Sequence, residues 1–399
     1  MKWLIFIFYF ASPLAYGFSD SFEYHSLSER EASAFDTPHE IDGEYESDVL
    51  TYTQGFQDRW LYLSSERAFT GTFGSLDSEH FFARQSLKFD FTLAPNTRFR
   101  VISFRERDFE LEAADTIFEI EHSLGDGPHA MALYGSASFD KKEDDIGLAY
   151  IWRKTKSDGF KSLRVYVSAS DFSRNQRNTL DDRFKVKPLV AGFTITEVSS
   201  DQTYYEYAIR VEPEVKWVFP ADGRVYTYSR YYGYLAERKK NSRGFFNWRF
   251  EYDSKAEKQK PDSVSSTLIT ESWKTERFRF QLEQSLELWR YGLWLSSGGW
   301  TKNADSLKMT YAQPYFWYQF FTRDLYSWDV GASLVSADRR DEITGVKSPS
   351  DGMDSRLNLA WNSHFRENLI FKALFTFDMD RLLESDRWEG GNIQLSTTF

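Results

Sequence analysis

From about residue 58 to the C-terminus, the chain is a succession of short segments in which apolar and polar side chains alternate. Between 246 and 252, Phe, Trp, Phe and Tyr alternate with Asn, Arg and Glu, and 277–288 and 369–378 show the same pattern. A period of two residues predicts β-strands with one apolar and one polar face. This repeated alternation indicates an all-β fold for most of the chain.

The chemistry of the two faces favours a membrane barrel over a soluble β-sandwich. Aromatic residues make up 18% of the 399 residues and dominate the apolar face, which is typical of the aromatic girdles at membrane interfaces. The polar face carries many full charges, which a packed core would not hold unpaired. After residue 20, no apolar run reaches the roughly 20 residues of a transmembrane helix. We therefore predict a transmembrane antiparallel up-and-down β-barrel.

The lengths of the connections predict the number of strands and the side on which each connection lies. Short polar links are predicted at 94–97, 125–127, 199–201, 275–276, 323–324 and 366–367, and longer ones at 173–183, 254–262, 296–306, 337–352 and 380–389. In outer-membrane barrels, short turns face the periplasm and long loops face outside. Counting back from a last strand at 390–399 places the long links consistently outside. The count gives about 18 strands over residues 57–399, with 16 as the alternative because the first strand, near 60–74, has the weakest pattern.

Two segments precede the predicted barrel. Residues 1–17 have a positive Lys2, an apolar stretch and small residues before a cleavage position, which predicts a secretory signal peptide. Residues 18–56 carry ten acidic side chains against Arg30 alone and predict an acidic periplasmic extension. This extension is interpreted either as a loosely ordered solvated segment or as a plug or docking arm for a periplasmic or envelope protein partner.

The last ten residues read GGNIQLSTTF, with Ile393, Leu395 and Phe399 in phase on one face. This segment resembles the closing strand of bacterial outer-membrane β-barrel proteins. The resemblance is to the whole class and identifies no particular family. It implies location in the bacterial outer membrane, contact with outer-membrane lipids and lipopolysaccharide, and recognition of the terminal aromatic by the barrel-assembly machinery.

The composition excludes several kinds of chemistry. There is no cysteine, so thiolate metal sites and cysteine nucleophiles are excluded. None of the six histidines has metal-ligand spacing, and the net charge of −11 argues against nucleic acid as a partner. We predict no cofactor, no metal and no enzymatic activity. A barrel enzyme acting on outer-leaflet lipids is the weaker alternative, for which His80 beside Asp77 and Ser78 is the histidine placed near an outer loop.

The charged polar face is the better indication of function, because a barrel of about 16–18 strands is wide enough for an aqueous channel. The candidate lumen-lining residues are Lys88, Asp90, Glu206, Arg210, Arg230, Arg249, Glu251, Arg277, Arg279, Glu283 and Glu287. Because both signs are present, we expect no strong ion selectivity. The leading hypothesis is a porin-like channel for polar solutes, or for the export or uptake of a polymer such as polysaccharide. The alternative is a structural or docking barrel of a cell-envelope complex, with a filled lumen.

A dense group of tyrosines accompanies these charges at Tyr204, Tyr226, Tyr228, Arg230, Tyr232 and Tyr234. If this group faces inward, its rings could stack on sugars. The competing interpretation is that the rings form part of an interfacial girdle or pack within the wall.

Overall fold

The structure is a computed structural model that describes residues 56–75, 81–108, 111–136, 146–169, 183–186, 189–219, 224–261, 271–302, 305–323, 325–341, 352–366, 368–384 and 387–399. The predicted signal peptide, all of the acidic extension except Phe56, and the His80 group lie outside these residues. Within the described ranges, no helix is long and apolar enough to cross a membrane.

In this part of the chain, a helix precedes nineteen strand segments. They are α1 (Phe56–Ser64), β1 (Arg67–Ser75), β2 (Phe81–Ala94), β3 (Thr97–Asp108), β4 (Leu111–Ser123), β5 (His129–Ser136), β6 (Ile146–Lys156), β7 (Gly159–Ala169), β8 (Arg183–Val186), β9 (Leu189–Ser199), β10 (Tyr204–Phe219), β11 (Arg224–Asn241), β12 (Gly244–Pro261), β13 (Glu271–Leu286), β14 (Trp289–Lys302), β15 (Asp305–Arg323), β16 (Tyr326–Asp341), β17 (Gly352–Arg366), β18 (Leu369–Asp378) and β19 (Trp388–Thr398).

The sheet closes on itself because β1 pairs with both β2 and β19. Phe69 is opposite Leu87 on one side and opposite Thr397 on the other. Both β8 and β9 pair with β10 and together make one strand of the wall, so the barrel has 18 antiparallel strands. This confirms the predicted up-and-down barrel and the strand count of 18.

The C-terminal residue lies at the seam of the barrel. The Phe399 backbone N–H donates to the Arg67 carbonyl oxygen at 3.3 Å, and its ring packs edge-on against Phe89 with centroids 5.5 Å apart. Ile393 and Leu395 are 48% and 37% exposed and face away from the barrel interior. The position of these three side chains agrees with a closing strand, while their recognition by the assembly machinery stays a prediction.

The two ends of the barrel differ in their connections. At one end, which contains the start of β1 and the end of β19, all eight connections have two to five residues. At the other end the connections have two to thirteen residues, and the longest joins β7 to β8. Short turns and both barrel termini mark the periplasmic end. The predicted asymmetry is present, although β3–β4 and β14–β15 are joined by only two residues at the outer end.

The first predicted strand, 60–74, is wrong in its first half, because the chain from Phe56 to Ser64 is α1. Phe56, Arg59 and Leu63 are all buried, and Trp60 is half-buried. Their spacing of i, i+3, i+4 and i+7 is that of one helix face. The strand itself begins at Arg67.

The predicted turn at 275–276 is also wrong, because both residues lie inside β13. The chain reverses at 287–288 instead. Gly244 is the first residue of β12 and pairs with Leu286 of β13. Residues after Leu286 therefore have no partner on β12. Glu287, predicted to line the lumen, is therefore exposed in a turn. The predicted outer loop 254–262 lies instead at 262–270, because β12 extends to Pro261. The loop predicted at 296–306 is only two residues long, because β14 extends to Lys302 and β15 begins at Asp305.

Inward aromatic rings lie directly on glycines of the neighbouring strand. The cross-strand pairs are Tyr134 with Gly147, Tyr166 with Gly192, Tyr315 with Gly292 and Trp317 with Gly331. At Gly192, an added Cβ would lie 2.3 Å from the Tyr166 hydroxyl and 2.6 Å from the Ile209 carbonyl oxygen. The ring can therefore lie flat on the wall only where the facing residue has no side chain.

We predict that Gly192→Ala lowers the free energy of unfolding by about 1–3 kcal/mol, because the methyl group overpacks a site bounded by a ring and a backbone oxygen. Urea unfolding of the folded barrel, followed by tryptophan fluorescence, measures this loss. Gly233→Ala is the matched control: nothing lies within 4 Å of its Cβ position, so a change of less than about 0.5 kcal/mol is expected. Equal effects of the two substitutions would contradict the packing account.

Candidate functional site

The barrel wall is polar inside and apolar outside. On β4, Phe118 and Ile120 are 41% and 48% exposed. The alternating residues Glu119 and Glu121 are only 1% and 4% exposed. On β7, Val165 and Val167 are exposed in the same way, while Arg164 is buried. Exposing large apolar side chains while burying carboxylates is unfavourable in water. It is favourable where the outer surface meets hydrocarbon, so the wall is built to span a membrane.

A connected set of ion pairs covers the inward face of β2 to β7. Arg100 lies at its centre and contacts Glu119 at 3.0 Å, Asp90 at 3.4 Å and Glu121 at 3.6 Å. Arg164 extends the set through a 2.6 Å contact with the other oxygen of Glu119. The network is completed by Arg98 on Asp90 and Arg153 on Glu121. Because consecutive pairs share a carboxylate or a guanidinium, the charges compensate one another in the interior.

A second set of charges lies on β10 to β13. Arg230 binds Asp253 with two hydrogen bonds, Nε to Oδ1 at 3.0 Å and Nη2 to Oδ2 at 2.9 Å. Glu251 lies between Arg249 and Arg279, at 3.9 and 4.0 Å. On β10, Arg210 contacts Glu212 at 2.5 Å.

Glu283 lies 3.6 Å from Arg290 of β14 and accepts hydrogen bonds from side chains on three strands. Its carboxylate accepts from Asn247 at 3.0 Å, from the Ser285 hydroxyl at 2.9 Å and from the Tyr315 hydroxyl at 2.9 Å. The Tyr315 oxygen in turn accepts from the Gln281 amide at 3.0 Å. This group continues the polar lining from β12 across to β15.

Helix α1 lies inside the barrel at its periplasmic end. The Arg59 guanidinium makes two hydrogen bonds to Glu206 of β10, one of them from Nε to Oε2 at 2.8 Å. The Trp60 indole N–H donates to the Ser199 carbonyl oxygen at 2.9 Å, at the end of β9. Phe56 packs under Arg249 of β12, whose guanidinium carbon lies 5.1 Å from the ring centroid.

The other side of α1 faces the opposite wall. Lys88 of β2 donates to the Tyr62 carbonyl oxygen at 3.3 Å and lies 5.3 Å from the Tyr62 ring centroid. Leu61 and Tyr62 also line a small cavity together with Ala68 of β1 and Ser396 of β19. In the closed sheet, β9 to β12 lie across the barrel from β1, β2 and β19. Helix α1 therefore bridges the lumen at its periplasmic mouth.

The Arg59–Glu206 pair is the electrostatic anchor of α1, with relative exposures of 9% and 0%. Burial by itself would lower the pKa of the Arg59 guanidinium. The charge and hydrogen bonds of Glu206 outweigh burial, and the pKa of Arg59 is raised. Arg59 therefore stays charged, and the pair forms a full ionic contact between the helix and the wall.

Ten of the eleven predicted lumen residues are buried on the inward face, and Glu287 is the exception. The structure brings Arg249, Glu251 and Arg279 together, and it brings Glu206 to α1. Lys88 and Asp90 lie in another part of the wall.

The tyrosines that the sequence places near these charges are partly accounted for. Tyr204, Tyr232 and Tyr234 are 2–3% exposed and belong to the buried cluster that includes Phe56 of α1. The side chains of Tyr226 and Tyr228 lie outside the described residues.

Several members of the networks were not among the residues predicted from the sequence. Glu119, Glu121 and Arg164 alternate with exposed apolar residues, so the two-residue period that selected the other candidates also contained them. Arg59 could have been found only by recognising the helical period of α1. Within the described residues, no cluster of three or more histidine or acidic side chains could hold a metal.

The closed 18-strand wall with its apolar outer surface defines an outer-membrane β-barrel. No family model matches the chain, and no curated protein matches it. One similar solved structure is a bacterial polysaccharide outer membrane secretin, with a TM-score of 0.37 and 9% identity over 84% of this chain and 97% of that chain. OpdK of Pseudomonas aeruginosa has a TM-score of 0.36 and 9% identity over 83% of this chain and 96% of that chain. The outer membrane protein OmpT of Vibrio cholerae has a TM-score of 0.34 and 9% identity over 83% of this chain and 94% of that chain.

We predict that Arg59→Ala and Glu206→Ala each weaken the docking of α1 by about 3–5 kcal/mol, because each leaves the other charge buried without its partner. Hydrogen exchange of the α1 amides, followed by mass spectrometry, measures the docking equilibrium. The double variant should cost clearly less than the sum of the two single losses. The exposed Glu66→Ala, between α1 and β1, is the control and should change nothing. Additive losses would show that the two side chains do not act as a pair.

Proposed function

We propose that this protein is an outer-membrane channel for polar solutes, and that α1 closes its periplasmic mouth in the conformation described. The observation that carries the proposal is that the barrel interior is lined by charged and hydrogen-bonding side chains. Among the described residues, eleven cationic and nine acidic side chains are buried. A lining of this kind can exchange its internal contacts for contacts with water or with a polar solute.

The energetics of buried charges favour this function over a simple structural filling. Taking the two charges of an ion pair out of water is costly. Replacing a buried ion pair by apolar side chains of similar volume is therefore often neutral or stabilising. A barrel that only had to be filled would therefore be more stable with aliphatic residues inside. In the channel, these charged side chains become hydrated when α1 moves away. This role in the open state is a reason for the lining to be charged.

The finer proposal concerns the kind of solute. The lining has both signs in near balance, which favours weakly selective passage of polar, uncharged or mixed-charge molecules. Tyr204, Tyr232 and Tyr234 form an inward aromatic surface next to Arg210 and Arg249. Flat rings beside hydrogen-bonding cations suit sugars, so a saccharide or a polysaccharide chain is the solute that we propose. In the described conformation this surface packs with α1, so access requires that the helix moves.

The second candidate function is a structural or docking barrel with a permanently filled lumen. It is favoured by the near-complete burial of the lining, in which Glu206, Glu119 and Arg356 are at most 1% exposed. The two functions make opposite predictions for a barrel from which α1 has been released.

We predict that the unmodified protein has low conductance in planar lipid bilayers. Arg59→Ala should raise the open probability by about a hundredfold or more, or until it saturates, because a loss of about 3–5 kcal/mol in the docking of α1 shifts the equilibrium by at least that factor. The exposed Glu66→Ala is the control and should behave like the parent. Closed, silent insertions of both the parent and Arg59→Ala would contradict the channel and favour the filled barrel.

We further predict that neutralising either partner of the Arg279–Glu251 contact shifts the ion selectivity, and that the two shifts are opposite. Both variants are measured in the Arg59→Ala background. Arg279→Gln should shift the reversal potential in a salt gradient towards cation selectivity, because it removes a positive charge from the lining. Glu251→Gln should shift it towards anion selectivity. Identical reversal potentials for the two variants would show that ions do not pass these side chains.

A further inference from the structure

Three neighbouring turns at the periplasmic end carry an excess of positive charge. They comprise residues 153–161, 197–203 and 237–243, which join β6 to β7, β9 to β10 and β11 to β12. These residues include eight Arg or Lys and four Asp or Glu. Their strands are consecutive in the wall, since β7 pairs with β9 and β10 pairs with β11. We call this surface the basic rim.

The cations of the basic rim are not all equally available to a further partner. Lys156 and Lys161 contact Glu197, and Arg153 contacts Glu121. The turn from β11 to β12 contributes Lys239, Lys240 and Arg243, which are exposed. The acidic residues near them are Asp201 and Glu237, of which Glu237 accepts a hydrogen bond from the Trp248 indole at 2.8 Å. The exposed positive charge is thus concentrated at the turn from β11 to β12.

The opposite charge is concentrated in a single segment of the same chain. Residues 18–55 contain ten acidic side chains and one arginine, a net charge of −9 out of −11 for the whole chain. Five of the acidic side chains fall within 40–48. The barrel interior is nearly neutral, with eleven buried cations and nine buried acids among the described residues. The acidic segment and the basic rim are therefore the complementary charged parts of the chain.

The acidic segment joins the described structure beside the basic rim. Phe56, the residue that follows it, packs under Arg249 of β12, and Trp60 binds the Ser199 carbonyl oxygen at the start of the turn from β9 to β10. Asp48 lies eight positions before Phe56, and an extended chain of this length spans at most about 26–29 Å. Arg243 is six residues from Arg249 along β12, a distance of about 20 Å. The run 40–48 can therefore reach the exposed cations.

We propose that residues 18–55 dock on the basic rim through contacts between their acidic side chains and the exposed cations of the turn from β11 to β12. Each contact between exposed charges is weak and screened by salt. A short tether makes the encounter intramolecular at an effective concentration in the millimolar range, so several weak contacts act together.

Distance measurements between spin labels test this proposal directly. The chain has no cysteine, so Ser47→Cys with Ser242→Cys gives one label in the acidic run and one in the turn from β11 to β12. The control pair is Ser47→Cys with Asn96→Cys, in the turn from β2 to β3 on the other side of the mouth. At low ionic strength, the first pair should give a short and narrow distance distribution, which broadens at high salt. The control pair should give longer distances.

Charge reversal supplies the second arm of the test. Lys239→Glu, Lys240→Glu and Arg243→Glu together should abolish the short distance, whereas Glu287→Lys, in the turn from β13 to β14, should leave it unchanged. A broad distribution for Ser47–Ser242 at low salt would overturn the proposal, and so would a short distance that survives the charge reversal. Short distances in a mixture of singly labelled proteins would assign the contact to a second molecule and overturn the intrachain docking. These readouts do not depend on conductance, so they separate this proposal from the proposed channel function.

Discussion

The pairing of β1 with β19 closes the sheet, and the width and the content of the barrel interior follow from this closure. In hydrocarbon, each unpaired backbone N–H or C=O group costs several kcal/mol, so a membrane-spanning sheet cannot have a free edge. The register that places Thr70 opposite both Ser86 and Ser396 removes that edge. Closure with 18 strands also fixes a wide interior, and this interior must contain water, side chains or another segment of the chain.

The barrel interior is filled both by charged side chains of the wall and by another segment of the chain, helix α1. Charged side chains are arranged so that most contact an opposite charge, as in the set around Arg100 and in the Arg230–Asp253 pair. Helix α1 crosses the periplasmic mouth and adds its own ion pair with Glu206. Because a buried ion pair is costly compared with apolar packing, its presence is better explained by function than by stability. Under the proposed channel function, the same balance of charge would let the lining become hydrated on release of α1 while the wall stays folded.

Much of the fold follows from the two-residue period, since the inward or outward direction of a strand residue depends only on its parity. This is why Glu251 and Arg279 could be assigned to one face from the sequence. The period does not show where a strand ends, because that depends on the partner strand, and Glu287 was misplaced for this reason. Arg59 lies on a short helix, and its partner Glu206 is 147 residues away along the chain. No local pattern could identify Glu206 as its partner.

If the interior is a closable aqueous passage, release of α1 should expose inward side chains to water-soluble reagents. Ala236 is 0% exposed and lies opposite Glu206 and Arg249. Ala236→Cys should react slowly with a charged thiol reagent in the folded barrel and much faster when Arg59→Ala is added. Leu235→Cys, on the outer face, should stay unreactive in both backgrounds. Equal, slow reaction of Ala236→Cys with and without Arg59→Ala would exclude a closable passage and indicate a permanently filled barrel.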